Sequence, residues 1–273
     1  MKWHIVKLKT LISRILELCG YTVHRIHTNK TDRTNNNGHR NRPIYSQDGL
    51  QSKHNHEFMF DPYFCKAYER GILACEQDYQ WHWRVHIGLW AAYSASKLKG
   101  DFVECGVNKG FLSSAIMEYL NWDSLNKTFY LMDTFSGIDE RYVSADELAK
   151  GILERNKERI KKGVYTTSLE IVRKNFSQWE NIQIIVGSIP ETLNAVETDN
   201  IAYLHIDMNC TPPEVAAFNY FWERLVPGAF VLLDDYAGKG RNLQKVAMDV
   251  AAAAKDLKIV SFPTGQGLLI KPS

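Results

Sequence analysis

From residue 101 onward the chain alternates between short apolar runs and amphipathic helical stretches, and nothing else in it constrains the fold as tightly. DFVECGV (101–107) reads as a strand and FLSSAIMEYL (111–120) as a helix. TFYLMDTF (128–135) is a second strand, followed by a charge-rich helical region over 144–179. IQIIVGS (182–188) and IAYLHIDMN (201–209) are strands, PEVAAFNYFWERL (213–225) a helix and AFVLLDDYA (229–237) a strand. RNLQKVAMDVAAAAKDL (241–257) is a helix, and KIVSFP with GLLIKP forms a terminal strand pair. Strands and helices in this order predict a mainly parallel sheet with helices on both faces. The 45% apolar and 12% aromatic content of the 273 residues is enough to fill the core such a sheet needs.

The segments before residue 101 are of a different kind. Residues 3–19 put Leu8, Leu11, Ile12, Ile15, Leu16 and Cys19 on one helical stripe, with Lys2, Lys7, Lys9 and Arg14 around it. We expect a basic amphipathic helix over 1–27, packing on its own domain or on a second subunit of a homo-oligomer. The alternative is an interfacial helix in peripheral contact with anionic lipid through residues 1–19. The polar, Asn-rich stretch that follows predicts a flexible linker over 28–55. An aromatic-rich helical region over 56–100, containing Trp81, Trp83, Trp90 and Tyr93, is expected as a substrate-side cap, and 101–273 as the catalytic domain.

Charge and cysteines exclude several classes. A net charge of +2 argues against a dedicated nucleic-acid binder. The five cysteines are scattered without zinc-site spacing, which predicts a reduced, cytoplasmic setting. No run approaches the roughly 18 apolar residues of a membrane span, and the lysines among the first apolar residues make a poor signal peptide.

The chemistry is expected at the carboxyl ends of the strands. VECGVNKG (103–110) leads from a strand through Gly106 and Gly110 into a helix, a turn that lets the backbone approach a ligand beside free helix N–H groups. It is not the G-x-G-x-x-G of a dinucleotide site. The second strand ends at Asp133, placed to accept ribose hydroxyls or, in the plainer alternative, to cap the next turn. Gly187 and Ser188 end the third strand, where an adenine would lie. The next two strands end in HIDMN and LLDDY, so Asp207, Asp234 and Asp235 converge on one edge. Three adjacent carboxylates raise one another's pKa unless a cation neutralises them, and all-oxygen ligands suit a hard ion such as Mg²⁺.

Taken together, VECGVNKGFLSSAI, FYLMDTFSG, GSIPETL, YLHIDMNCTPPEVAAFNYFWERLVPGAFVLLDDY and PTGQGLLIKP resemble the macrocin O-methyltransferase (TylF/MycF) family, over residues 80–273. The resemblance implies a Rossmann-like class I methyltransferase fold, with a seven-stranded sheet whose last strand is antiparallel. It implies metal-dependent methyl transfer from S-adenosylmethionine (SAM) to a hydroxyl of a sugar, in a glycan or a glycosylated small molecule. Glu104, Gly106 and Gly110 would line the methionine end of SAM, Asp133 would take the ribose, and Ser188 would lie near the adenine. Asp207, Asp234 and Asp235 would hold Mg²⁺, with Asp207 as the proton acceptor. After DDY, where members of the family often carry a His, this chain offers Lys239 and Arg241. His205 is expected on the opposite face of its strand as a core or second-layer residue, and His82 and His86 are further substrate-side bases to consider. Two other functions remain open: methylation of a catechol-like diol, and a non-catalytic SAM-fold assembly partner.

Overall fold

A computed structural model describes residues 45–273, which form one compact unit. The expected basic helix, its membrane or subunit contacts, and the linker as far as residue 44 lie outside the described residues. Residues 45–55 depart from the linker expectation. Tyr45–Gln47 (β1) and Leu50–Ser52 (β2) pair as an antiparallel hairpin. Asp48 and Gly49 between them both take positive φ (51° and 72°), the pair of left-handed residues that a two-residue hairpin turn requires.

Two helices follow, Pro62–Cys75 (α1) and His82–Ser96 (α2). Asp61 caps α1, its Oδ1 accepting from Phe64 N at 2.9 Å, and Pro62 supplies a preset first turn. Phe64, Tyr68, Val85, Leu89 and Ala92 sink into the main core. The 56–100 region is therefore one wall of the domain as well as a cover for the sheet edge.

The sheet proper begins with Asp101–Cys105 (β3), then Phe111–Leu120 (α3) and Phe129–Asp133 (β4). The expected helical stretch over 144–179 is three short helices, Ala145–Ala149 (α4), Ile152–Lys161 (α5) and Leu169–Phe176 (α6). Gly151 and Gly163, both at φ 70°, break it. Ile182–Val186 (β5), Ile201–Ile206 (β6), Thr211–Trp222 (α7), Leu225–Leu233 (β7), Asn242–Ala253 (α8), Val260–Ser261 (β8) and Gly267–Ile270 (β9) complete the domain.

The seven strands lie in the order β5-β4-β3-β6-β7-β9-β8, parallel except for β9, which runs antiparallel to both neighbours. The α/β class and the antiparallel last strand thus match the expectation. Alternation sorts the side chains. Phe102, Tyr203 and Leu232 face the core under α1, α2 and α3, while Val103, Leu204 and Val231 face α7 and α8. The chain winds outward from β3 to β5 and returns to place β6 on the other side of β3. That reversal leaves a crevice at the carboxyl ends of β3 and β6, the place where open α/β sheets take ligands.

Candidate active site

A cavity of about 460 Å³ opens at that crevice. The β3–α3 turn forms its floor. Gly106 has φ 96°, and a Cβ there would collide with the Asp207 carbonyl, so this backbone approach requires glycine. Gly110, at φ 87°, starts α3 in the left-handed region, and a Cβ would strike the Phe176 ring. Gly110 sets the turn from behind and, unlike Gly106, does not line the cavity.

Asp133 borders the cavity but already serves the turn. Its Oδ2 accepts from Val107 N and Asn108 N, each at 2.8 Å, and its Oδ1 from Phe135 N at 2.8 Å. A carboxylate holding three backbone N–H groups fixes the loop, since bonds to a charged acceptor are the stronger kind. It retains lone-pair capacity for a ribose hydroxyl. Ser188 also lines the cavity, its Oγ donating to Asp139 Oδ2 at 2.5 Å.

Beside the turn, the backbone brings the acids together. Asp207 N donates to Cys105 O at 2.8 Å and Asp234 N to Ile206 O at 3.0 Å, so each acid sits just beyond the end of its paired strand. Asp207, Asp234 and Asp235 each offer a carboxylate oxygen, all within 4.8 Å of one another. Burial, reinforced by Asp234 and Asp235, pushes the Asp207 carboxyl well above the ordinary carboxylate value. Burial also raises Asp235, with Arg241 working against it. Asp234 goes the other way: burial opposes its charge, but Arg84 and His205 outweigh it and hold the carboxyl low.

Arg84, on α2, is a central residue that the sequence reading passed over. Its Nη1 donates to Asp234 Oδ2 at 2.6 Å and to the Asp234 carbonyl at 3.0 Å, and its Nη2 to Thr264 O at 3.0 Å. Its Nε reaches Asp48 Oδ2 at 3.2 Å, which ties the hairpin turn to the acids. Gln266 Nε2 donates to Asp234 Oδ1 at 3.1 Å. A lone arginine inside WHWRVHIGLW was the available signal, because a charge in so apolar a stretch must find a buried partner. The Asp-Gly pair in YSQDGLQS was the corresponding signal for the hairpin.

The histidines need correcting. His205 and Asp207 are two residues apart, so alternation puts them on the same face, not on opposite ones. His205 is a buried second-layer residue: its Nδ1 lies 2.9 Å from Glu104 Oε1, its register partner on β3, and its Nε2 is 3.9 Å from Asp234 Oδ1. Burial works against its charge, but Asp234 and Glu104 together push it up to about 10. His82 stacks on Tyr68 and bonds Gln47, and His86 stacks on Phe58. Both serve packing, and neither lines the cavity.

The three acids fit a hard cation in part by geometry and in part by unmet charge. Among the described residues Asp207 has a single side-chain donor, Asn209 Nδ2 at 3.1 Å from its Oδ1. Asp235 Oδ2 is buried and makes no aligned hydrogen bond, although Arg241 Nη2 approaches it to 2.9 Å. Both Asp234 oxygens already accept hydrogen bonds, Oδ2 from Arg84 and Oδ1 from Gln266. The donor set is all oxygen, as Mg²⁺ prefers, and coordination would relieve the repulsion that raises Asp207 and Asp235.

Comparison with known proteins bears on the family and the fold. A family model described as macrocin-O-methyltransferase (TylF) matches residues 90–257. The chain is 31% identical over 149 residues to the 8-demethyl-8-(2,3-dimethoxy-alpha-L-rhamnosyl)-tetracenomycin-C 4'-O-methyltransferase of Streptomyces olivaceus, covering 52% of this chain and 55% of that protein. It is 25% identical over 146 residues to the mycinamicin III 3''-O-methyltransferase of Micromonospora griseorubida, covering 50% and 55%. The chain thus spans about half the length of these relatives, 55% in both cases. Among solved structures, the O-methyltransferase NovP superposes with a TM-score of 0.60 at 21% identity, over 70% of this chain and 80% of that one. The calicheamicin methyltransferase CalS11 gives 0.51 at 14% identity, over 87% and 98%. At these identities the structural likeness speaks for the fold alone.

Proposed function

The chain belongs to the macrocin O-methyltransferase (TylF) family, and on that premise we propose that it transfers a methyl group from SAM to a hydroxyl of a sugar. One observation carries the reading: three carboxylates converge at the sheet edge, in the same cavity as a glycine turn held by Asp133. Sugar acceptors are favoured over other diols because one relative above is named for methylating a rhamnosyl-bearing compound.

In this reading Gly106 gives the cofactor its close backbone approach, Glu104 lines the methionine end, Asp133 meets the ribose and Ser188 borders the adenine. SAM supplies the methyl group when bound. Asp207, Asp234 and Asp235 would hold Mg²⁺ or a similar hard ion, which lowers the pKa of a hydroxyl beside it. Arg84 and Gln266 hold Asp234 in place, and Asn209 orients Asp207. In this reading the Asp207 carboxylate, oriented by Asn209, is the proton acceptor. Trp81, Tyr79 and Phe111 give the cavity aromatic lining, and alignment of hydroxyl and methyl within it supplies much of the acceleration.

The test is transfer of labelled methyl from SAM to a panel of glycosides, with and without Mg²⁺, beside calorimetric titration of SAM. Asp207→Asn should reduce turnover by about a hundredfold or more, the range lost when a general base is removed. If SAM does not bind, or if Asp234→Asn and Asp235→Asn keep full turnover, the assignment is wrong.

A further inference from the structure

The acids are not the only unusual charges in the cavity. Arg159, at the end of α5, and Arg241, at the start of α8, both line it, and both aim a guanidinium at the same neutral atom. Arg159 Nη1 donates to Asn209 Oδ1 at 3.1 Å, and Arg241 Nη2 donates to that oxygen as well. Two cations sharing one uncharged acceptor repel, and one amide oxygen does not offset that. Arg241 has some relief from Asp235 at 2.9 Å. Arg159 has none of that kind: among the described residues no carboxylate lies within ion-pair distance of it, and its other side-chain partners are the Tyr165 hydroxyl and ring.

The fold goes to some length to hold Arg159 there. The segment after α5 is pinned to the glycine turn, with Asn108 Nδ2 donating to Val164 O at 2.8 Å and Thr166 N to Asn108 Oδ1 at 2.9 Å. Asn209 is in the left-handed region at φ 58°. There its amide nitrogen bonds Asp207 while its oxygen meets both arginines. The arginines are thus one side chain away from the carboxylate proposed to take the acceptor's proton. A planar fork with unused donors, next to a second fork, is the arrangement that binds phosphate or carboxylate oxygens.

We infer that Arg159 and Arg241 form an anion clamp for the acceptor, which is a sugar bearing a phosphate or carboxylate group. This rests on the acceptor being a sugar, as proposed above. The clamp selects the substrate: the acids receive the hydroxyl, the arginines receive the charge, and Asn209 spaces the two. A neutral glycoside would leave Arg159 without a counter-charge.

Three probes share a hexose and differ in charge: glucose 1-phosphate, glucuronic acid and methyl glucoside. Each is titrated into the full chain saturated with S-adenosylhomocysteine and Mg²⁺, and the enzyme is then assayed on the corresponding phosphorylated, uronate and neutral acceptors. We expect an anionic probe to bind at least tenfold tighter than methyl glucoside. The tighter of the two anions identifies the group. Arg159→Gln keeps hydrogen bonding but removes charge. It should weaken the anionic probe about 10- to 100-fold, the value of a charge-assisted hydrogen bond. Methyl glucoside and S-adenosylhomocysteine affinities should stay within twofold. Equal binding of all three probes, or no response to Arg159→Gln, overturns the clamp. Parallel loss of S-adenosylhomocysteine affinity also overturns it, because Arg159 would then belong to the cofactor. Arg159-dependent anion binding without methyl transfer to any acceptor would sustain the clamp and refute the enzyme reading instead.

Discussion

Replacing Arg84 with Met is the perturbation that most directly probes how the acids are held. The side chain keeps its length and loses its charge and all its donors. Asp234 Oδ2, the Asp234 and Thr264 carbonyls, and Asp48 each lose a partner at 2.6–3.2 Å. Arg84 and Asp234 are both largely buried, with side-chain exposures of 15% and 13%. Breaking such a pair from one side leaves an uncompensated charge and costs about 3–5 kcal/mol. For a domain of this size each kcal/mol moves Tm by about 2–4 °C, so the variant should melt about 6–20 °C lower. The two carboxylates do not share the effect equally. Asp234 is held low chiefly by Arg84, whereas Asp48 stays raised because burial outweighs the same arginine. Arg84 is therefore spent mainly on Asp234. Asp48→Asn should be close to neutral, and Arg84→Met/Asp234→Asn should recover at least half of the loss. Urea unfolding of the parent, Arg84→Met, Asp234→Asn and the double variant, with unchanged m values, closes the double-mutant cycle. A single Arg84→Met within about 1 kcal/mol of the parent, or a double variant no better than the single, would show that Asp234 is not held this way.

Two further outcomes follow from other parts of the structure. Glu214 on α7 is pushed up to about 8 by burial and by Asp235, against an ordinary 4.5. Between those values the folded state keeps a proton that the unfolded chain has released, so stability falls as pH rises through the window, by about 1.4 kcal/mol per pH unit for one proton. Glu214→Gln should remove that share of the slope in urea midpoints taken from pH 5 to 8.5, and unchanged slopes would refute the raised pKa. Gly110→Ala combines a left-handed φ of 87° with the Phe176 ring in the way. It should cost about 2–5 kcal/mol in chemical denaturation, and a smaller loss would mean that the turn has another conformation open to it.

Much of this was legible in the sequence, for a physical reason. Strand–helix alternation is local, so 101–273 announced a parallel sheet, and acids at strand tips such as Asp207 and Asp234 announced where they would meet. Partners that come from distant helices were not legible. Arg84 sits in a stretch whose aromatic residues read as packing, and only the tertiary fold brings it to Asp234, 150 positions later. Gly110 was read as facing the ligand, but it makes room for Phe176, and of the two roles read for Asp133, ribose acceptor and turn cap, the protein itself uses the second. A one-dimensional pattern identifies the edge of the sheet without saying how much of each residue the protein itself uses. His205 was a different matter, since period-two alternation already placed it beside the acids.

The separation between Arg84 and its partners has a consequence for how the protein is made. Chains leave the ribosome at about 5–20 residues per second, so Arg84 emerges on the order of ten seconds before Asp234. The glycine turn and Asp133 lie only 26 positions apart and can close almost at once. Synthesis therefore supplies the parts of the glycine turn first. The two acids of the DDY segment, which come late, meet an arginine that has waited through most of translation, so the carboxylate cluster is among the last features the nascent domain assembles.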